Sequence, residues 1–300
     1  MYDIIIIGAG PAGLTSAIYA KEANKSILLL EKMGAGGQTA NINNITNYPG
    51  FSAINGFDLS EKMKEQVKNL GAEFKYEEVV SVDLKGDIKT VNTHKNKYTA
   101  KNIIIATGAY AKPLEVKNEK NFLGRGVSYC ATCDGNFFKN KVVAVVGGGN
   151  ASMDDAIYLA GVAKKVYIIH RRAVFTAKSS MFNRVQAMAD KVEFITDSIV
   201  TEINGNETLE SIELLNKKTN KQSTLKIDGL FVAIGRKPDT DIFADALKLD
   251  ANGFIETDEL MRTSMKGVYA VGDVRNTSLR QIITACADGA IAVTTIIKES

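Results

Sequence analysis

Two glycine runs, Gly8-Ala9-Gly10-Pro11-Ala12-Gly13 and Gly147-Gly148-Gly149-Asn150-Ala151-Ser152, constrain this chain more than any other feature. Such a run marks a dinucleotide-binding turn only when a strand precedes it and a helix follows. Both runs meet that test. The apolar segment Tyr2 to Ile7 leads into the first, and the helix-compatible stretch Leu14 to Ala23 leaves it. Ser26 to Leu30 then reads as a second strand that ends on Glu31, 18 residues beyond Gly13, where an acid can bind ribose hydroxyls of a dinucleotide. The second run repeats the plan, with Lys141 to Val146 as strand, Met153 to Gly161 as helix and Val166 to Ile169 as next strand. That strand ends at His170, again 18 residues past Ser152. The equal spacing argues for two copies of one βαβ unit with different second-strand endings: an acid in the first, His170-Arg171-Arg172 in the second.

Composition narrows what such a chain can do. Three hundred residues, 45% hydrophobic and 24% charged, suffice for about two domains. A formal charge of +3 supplies no chain-wide field toward nucleic acid or a membrane surface. The only histidines are His94 and His170, so a metal site built on several histidines is excluded, and three cysteines do not complete a four-ligand zinc site by themselves. The chain opens directly in a strand, and no apolar run reaches roughly 18 residues, so neither a signal peptide nor a membrane span is expected. A cytoplasmic location is the corresponding expectation, and in that reducing compartment a Cys-x-x-Cys pair reads as redox-active or metal-binding rather than as a structural staple.

Further along, the loop Gly34-Ala35-Gly36-Gly37-Gln38 precedes an amphipathic helix with Leu59, Met63, Val67 and Leu70 on one stripe. Ile103 to Gly108 is a buried-strand pattern ending in glycine, with Lys112-Pro113 soon after. Leu230 to Gly235, followed by Lys237-Pro238, echoes it, so the two segments read as equivalent closing strands of duplicated domains. A third strand-to-turn signal, Val268 to Asp273, comes before a helix-compatible stretch from Gln281 to Ile297. The expected fold class is α/β, with two Rossmann-like three-layer nucleotide-binding domains, the second inserted in the first. Residues 1–112 and 246–300 would form the outer domain and residues 113–245 the inserted one.

The backbone N–H groups and helix dipole at each glycine turn favour phosphate oxygens, which makes Gly8, Gly10, Ala12, Gly13 and Glu31 candidates for holding a dinucleotide cofactor. Gly147, Gly149, Asn150, Ala151 and Ser152 are the matching candidates in the second copy. There, His170, Arg171 and Arg172 stand at the ribose end, either as a solvated strand end or as a site for the 2′-phosphate of NADPH, which an acid would repel. Between the runs lies Cys130-Ala131-Thr132-Cys133. It can be half of a zinc site, a pair of packed thiols, or a short-loop disulfide that accepts two electrons and passes them on through a mixed disulfide. Cys286, among Ile282, Ile283 and Ala285, reads as a packing residue.

Taken in order, GAGPAG, the GGQ loop with Asn47-Tyr48-Pro49-Gly50, ATGA, CATCDG, GGGNAS, HRR, AIGRKP and VGDV with Arg280-Gln281 resemble the low-molecular-weight bacterial thioredoxin reductases across nearly the whole chain. CATCDG just before the second nucleotide strand is the most specific part. The resemblance implies an FAD-dependent enzyme that passes electrons from NADPH through FAD and a Cys130–Cys133 dithiol to thioredoxin, and that works as a homodimer. It adds Gly37, Gln38, Thr39, Asn47, Thr107, Gly108, Gly272, Asp273, Arg280 and Gln281 to the flavin site. It also implies that Cys130 attacks thioredoxin, that Cys133 lies against the flavin and that Asp134 transfers a proton; a plain turn residue before Gly135 is the alternative for Asp134. In this family the inserted domain rotates on its two linkers, alternating the dithiol and the nicotinamide at the flavin.

Two positions depart from the family. The pattern HRRxxxR has Thr176 in its last place, and Ser152 stands where alanine or glycine is usual. They keep open a dithiol flavoenzyme that uses NADH or a donor such as reduced ferredoxin. A flavin reductase without a dithiol step and a non-catalytic FAD-binding redox sensor are the other rivals.

Overall fold

The computed structural model describes residues 1–42 and 44–299. The chain divides into two compact units, an outer one of Met1–Tyr110 with Lys237–Ser300 and an inserted one of Ala111–Arg236.

In the outer unit, β1 (Tyr2–Ile7) runs through the glycine turn into α1 (Pro11–Glu22) and returns as β2 (Ile27–Glu31). Pro11 at the start of α1 has a fixed φ suited to a first helical turn, and its missing N–H costs the helix no bond. After α2 (Gly56–Asn69) come β3 (Glu73–Tyr76), β4 (Val79–Asp83), β5 (Lys89–Thr93) and β6 (Lys97–Ile105). The sheet order is β3-β2-β1-β6-β5-β4, and a late strand, β17 (Val268–Ala270), pairs parallel with β6. The neighbours of β1 are both parallel, with Ile4 opposite Ile27 on one side and Asn102 on the other. Four successive isoleucines therefore point alternately into two separate cores. Ile4 and Ile6 pack with α1, α2 and the C-terminal helix α6 (Ile282–Glu299), while Ile5 and Ile7 pack with Val91, Phe243, Leu247 and Val268. A central parallel strand covered on both faces needs an apolar run rather than an alternating one. Helices α1 and α6 approach closely because Gly289 lacks a side chain; a Cβ there would stand 2.4 Å from the Ala12 carbonyl oxygen.

The crossing strands β7 (Ala109–Ala111) and β16 (Arg236–Pro238) pair as a two-stranded ribbon. The second boundary lies at Arg236/Lys237, not at residue 245 as the sequence suggested. Phe243 and Leu247 are buried in the outer core, and Asp239 is tied to the outer unit by its N–H to the Gly108 carbonyl at 3.1 Å. The pattern ending at Pro238 looked like a linker, yet the apolar residues after it already belong to the core they fill.

The inserted unit carries β8 (Val127–Ser128), the one-turn helix α3 (Ala131–Asp134), β9 (Val142–Val146), α4 (Asn150–Ala160), β10 (Lys165–Ile169), α5 (Ser179–Gln186) and β11 (Val192–Ile195). An antiparallel sheet of β12 (Ser198–Gly205), β13 (Leu209–Asn216) and β14 (Gln222–Lys226) follows, and β15 (Gly229–Val232) returns to close a parallel sheet ordered β11-β10-β9-β15-β8. Val143 and Val145 face the helical core, while Ala144 and Val146 face the core beneath β12 and β13. Both units are thus built on a strand–glycine turn–helix–strand unit, the second lying between Val142 and Ile169. Among the described residues, no helix is long and apolar enough to cross a membrane, and no group of three or more His, Cys, Asp or Glu side chains is placed to hold a metal ion.

Candidate active site and nucleotide turns

The outer glycine turn is fixed by backbone geometry at two of its three glycines. Gly8 sits at φ +104°, where a Cβ would stand 2.4 Å from the Ala106 carbonyl oxygen. Gly13 faces Gly8, with only 1.9 Å between a would-be Cβ and the Gly8 carbonyl oxygen. Gly10 differs: a Cβ there would meet no protein atom within 4 Å, so the fold itself does not demand glycine. No side chain caps the N-terminus of α1 at Gly10, which leaves donors of its first turn for another acceptor. Glu31 braces the turn from the end of β2, since Oε2 accepts the Ala9 N–H at 2.8 Å and Oε1 accepts that of Met33 at 2.9 Å.

Several of the other residues expected around a flavin gather at this turn. Gly37, at φ +53°, faces Gly10, with 3.6 Å between its would-be Cβ and the Gly10 Cα. Gly37, Gln38 and Thr39 lie on one 3₁₀ turn, of which Thr39 alone is buried. Gly272, at φ +72°, faces Ala12, and Asp273 follows on the same short turn. Asn47 Nδ2 donates to Gln281 Oε1 at 3.0 Å. The Thr107 hydroxyl donates to the Asp239 carbonyl at 2.7 Å, and Gly108 takes φ +73°. The Arg280 guanidinium lies over the Phe254 ring at 4.1 Å. Cys286 packs in the core as expected, where burial pushes its thiol up from the ordinary value.

Sequence reasoning missed the pair that holds the Gly272 turn. Asp288 accepts the Gly272 N–H at 3.0 Å and the Arg275 Nε–H at 2.8 Å through Oδ2, and Arg275 Nη2 reaches Oδ1 at 3.2 Å. Asp288 is buried, so the bidentate arginine and the amide compensate a charge that would otherwise be costly. A lone acid within the apolar stretch Ala285 to Val293 was the available signal.

In the inserted unit, Cys130 and Cys133 form a disulfide with Cα atoms 5.3 Å apart. Cys130 is the N-cap of α3, and its Sγ accepts the Cys133 N–H at 3.3 Å. The sulfur of Cys130 thus has a backbone amide donor aimed at it from the first turn of α3. Both cysteines and Asp134 are half-buried, and Thr132 is exposed. Asp134 is no free turn residue: the Ser128 hydroxyl donates to its Oδ2 at 2.6 Å.

The second glycine turn is occupied by the protein's own groups. A Cβ on Gly147 would stand 2.5 Å from the Ala233 carbonyl oxygen, and one on Gly148 would stand 2.2 to 2.6 Å from three atoms of the His170 ring. His170 is buried, stacked on Phe175 with ring centroids 4.8 Å apart, and Nε2 lies 3.2 Å from the Val174 carbonyl. Burial lowers its pKa, so the neutral ring is favoured. Expected among the ribose-end residues, it packs against the turn itself, while Arg171 and Arg172 beside it are exposed. The Gly148 carbonyl receives the Thr176 N–H at 2.8 Å, the Thr176 hydroxyl at 3.1 Å and the Ala177 N–H at 3.0 Å. Asn150 Oδ1 accepts the Lys178 N–H at 2.8 Å, and Ala151 is exposed at the first turn of α4. Ser152 fits without strain: it is fully buried and its hydroxyl donates to the Gly149 carbonyl at 2.8 Å. Gly149 is the open member of this turn, with only Thr176 Oγ1 near a would-be Cβ, at 3.8 Å.

Comparison with known proteins agrees with this architecture. A family model described as pyridine nucleotide-disulphide oxidoreductase matches residues 2–289. The chain is 43% identical to thioredoxin reductase of Bacillus subtilis (strain 168), over 99% of this chain and 94% of that relative. Among solved structures, thioredoxin reductase from Streptococcus pyogenes superposes with a TM-score of 0.92 at 43% identity, covering 99% of this chain and 97% of that one. Thioredoxin reductase from Giardia duodenalis gives 0.93 at 35% identity, covering 99% and 98%. With a family model matched over nearly its whole length and relatives at this identity, the chain belongs to the pyridine nucleotide-disulphide oxidoreductase family, among its thioredoxin reductases.

Proposed function

We propose that this thioredoxin-disulfide reductase draws its electrons from NADPH, with FAD held by the outer unit and the nucleotide by the inserted one. The observation that carries the reading is the Cys130–Cys133 disulfide on the strand-to-helix segment that precedes the second glycine turn. At the outer turn Gly8 and Gly13 are required by backbone contact, whereas Gly10 is open. That combination is what close approach of a pyrophosphate to the middle glycine needs. Gly8, Gly10, Ala12, Gly13, Glu31, Gly37, Gln38, Thr39, Asn47, Thr107, Gly108, Gly272, Asp273, Arg280 and Gln281 would hold FAD. When bound, it supplies the carrier that takes a hydride from the nucleotide and hands two electrons to a disulfide.

The protein's own chemistry is then thiol exchange. Two electrons break the Cys130–Cys133 bond, and two protons complete the dithiol. The Cys130 thiolate attacks the disulfide of thioredoxin to give a mixed disulfide, and Cys133 resolves it. The Cys130–Cys133 bond re-forms and thioredoxin leaves with two thiols. Asp134 exchanges one of the protons.

For the donor, the exposed Arg171 and Arg172 suit the 2′-phosphate of NADPH. The nucleotide would sit over Gly147, Gly149, Asn150, Ala151 and Ser152. Thr176 offers that phosphate no cation, which narrows the margin over NADH. Exposed Leu260, Ile291 and Ile297 of the outer unit support a homodimer contact. The test is the visible spectrum of the purified protein, first alone and then with NADPH or NADH under anaerobic conditions. A yellow protein bleached by NADPH at lower concentration than by NADH is expected. A flavin that neither nucleotide bleaches would overturn the donor and leave the dithiol relay standing.

A further inference from the structure

Ser128 stands two residues before the reactive pair, buried at the end of β8, and it touches both Asp134 and Cys130. Its hydroxyl donates to Asp134 Oδ2 at 2.6 Å and accepts the Cys130 N–H at 3.0 Å. The Cys130 carbonyl oxygen lies 3.3 Å from the same Oγ and is a second acceptor. We propose that Ser128 is the positioning residue of the dithiol step, holding the Asp134 carboxyl in one place through both of its protonation states. The inference rests on the relay described above and on Asp134 as its acid–base group.

A hydroxyl carries one proton and two lone pairs. While Asp134 is ionised, Ser128 gives its proton to the carboxylate and receives the Cys130 N–H. Once Asp134 is protonated on Oδ2, the hydroxyl turns toward the Cys130 carbonyl and accepts from the carboxylic acid instead. No partly buried polar atom is left without a partner in either state, so proton transfer needs no repacking around the cysteines. Position 128 is suited to this because Ser128 is anchored in the sheet, opposite Phe231 of β15, whereas Cys133 and Asp134 ride on a single helical turn.

When two electrons open the Cys130–Cys133 bond, both sulfurs carry charge until two protons arrive. In the disulfide state Ser128 holds Asp134 as the carboxylate, and once solvent protons have completed the dithiol this carboxylate accepts the Cys130 proton on Oδ2 as that thiol becomes the attacking thiolate. Asp134 then passes that proton to the first thiolate that departs on thioredoxin and Cys133 gives its own proton to the second, so both protons of the dithiol leave with thioredoxin and Asp134 is the carboxylate again as the disulfide re-forms.

The test is a double-mutant cycle on the FAD-loaded enzyme, measuring kcat and KM for thioredoxin. Ser128→Ala should lower kcat on the order of tenfold with KM unchanged, and Ser128→Thr, which keeps the hydroxyl, should recover most of it. Placed on Asp134→Asn, the same Ser128→Ala change should cost less than about twofold further, because its effect passes through that carboxyl. Equal losses in both backgrounds, a full kcat in Ser128→Ala, or a loss carried by KM would overturn the proposal. If Ser128→Ala does not fold, Ser128→Gly takes its place in the cycle. An unchanged kcat in Asp134→Asn alone would overturn the acid–base role itself and this inference with it, a result distinct from Ser128 failing beside a defective Asp134→Asn.

Discussion

Asn47 and Gln281, 234 residues apart, are joined by a hydrogen bond of 3.0 Å from Nδ2 to Oε1. The bond ties the loop after the 3₁₀ turn to the residue before α6, two segments of the outer unit that the proposed flavin site draws on. The bond is exposed, so its net worth is at the low end, about 0.5–1 kcal/mol. Asn47→Ala and Gln281→Ala should each weaken FAD binding about two- to fivefold. The double variant should lose less than the product of the two. Titration of stripped protein with FAD, followed by flavin fluorescence, measures this, and fully multiplicative losses would show the two residues acting independently.

Gly8 and Gly10 should respond in opposite ways to a side chain. At Gly10 an added Cβ meets no atom beyond its chain neighbours within 4 Å, so Gly10→Val should fold with an apo Tm near that of wild type and purify colourless. At Gly8 the left-handed φ of +104° and the Ala106 carbonyl make even alanine costly, so Gly8→Ala should lose roughly 1–3 kcal/mol of stability. Denaturation of both apo variants, with the flavin content of the proteins as purified, separates the two roles. Wild type should carry about one FAD per subunit by the same fingerprint logic.

Cys130→Ser and Cys133→Ser should each abolish thioredoxin reduction while the flavin still bleaches with nucleotide, since the dithiol lies downstream of the flavin. Cys133→Ser should trap thioredoxin as a mixed disulfide through Cys130, detectable by mass spectrometry. Most of the activity surviving in either variant would refute the relay.

Thr176→Arg adds the cation that the family pattern has at that place. A hydrogen bond to a charged group contributes about 1.5–3 kcal/mol, so the preference for NADPH over NADH should rise about 10- to 150-fold, chiefly through tighter NADPH binding. The variant also loses the hydroxyl bond to the Gly148 carbonyl, but the backbone N–H groups of residues 176 and 177 still hold that oxygen. Stopped-flow flavin reduction by both nucleotides is the measurement. An unchanged ratio would mean that position 176 stays turned toward the glycine turn.

Asp155 on α4 sets a pH dependence. Burial, reinforced by Asp154, pushes its carboxyl up to about 7, with Arg236 opposing. The native state thus holds a proton that the unfolded chain releases near pH 3.9. Stability from this group is fully present below about pH 4 and is lost as pH rises toward 7. Asp155→Asn, which mimics the protonated form, should match wild type near pH 4 and exceed it in Tm above pH 7. A Tm difference that does not change over this window would remove Asp155 as the source.

Periodicity and spacing carried much of this protein in plain view. The four isoleucines of β1, the glycine runs and the equal distances to Glu31 and His170 announced two parallel βαβ units, because a strand buried on both faces and a turn at a helix N-terminus each leave a local mark. The Cys-x-x-Cys spacing allowed a disulfide for the same local reason. The roles of His170 and Ser128 had no such mark. A basic residue at a strand end reads as a ligand contact until its ring is found packed on Gly148, and a serine in Gly126-Val127-Ser128 carries nothing that points to Asp134.

Chain order, then, determined which segments become strands, turns and helices, since those depend on side chains a few residues apart. Tertiary structure alone decided that Asn47 meets Gln281, that Asp288 clamps Gly272 and Arg275, and that Phe243 and Leu247 belong to the outer core. Each of these joins residues distant in the chain or reassigns them to another unit, and no pattern within one segment encodes a partner supplied by another. Burial and hydrogen-bond satisfaction select such pairs only after the sheets have brought the segments together.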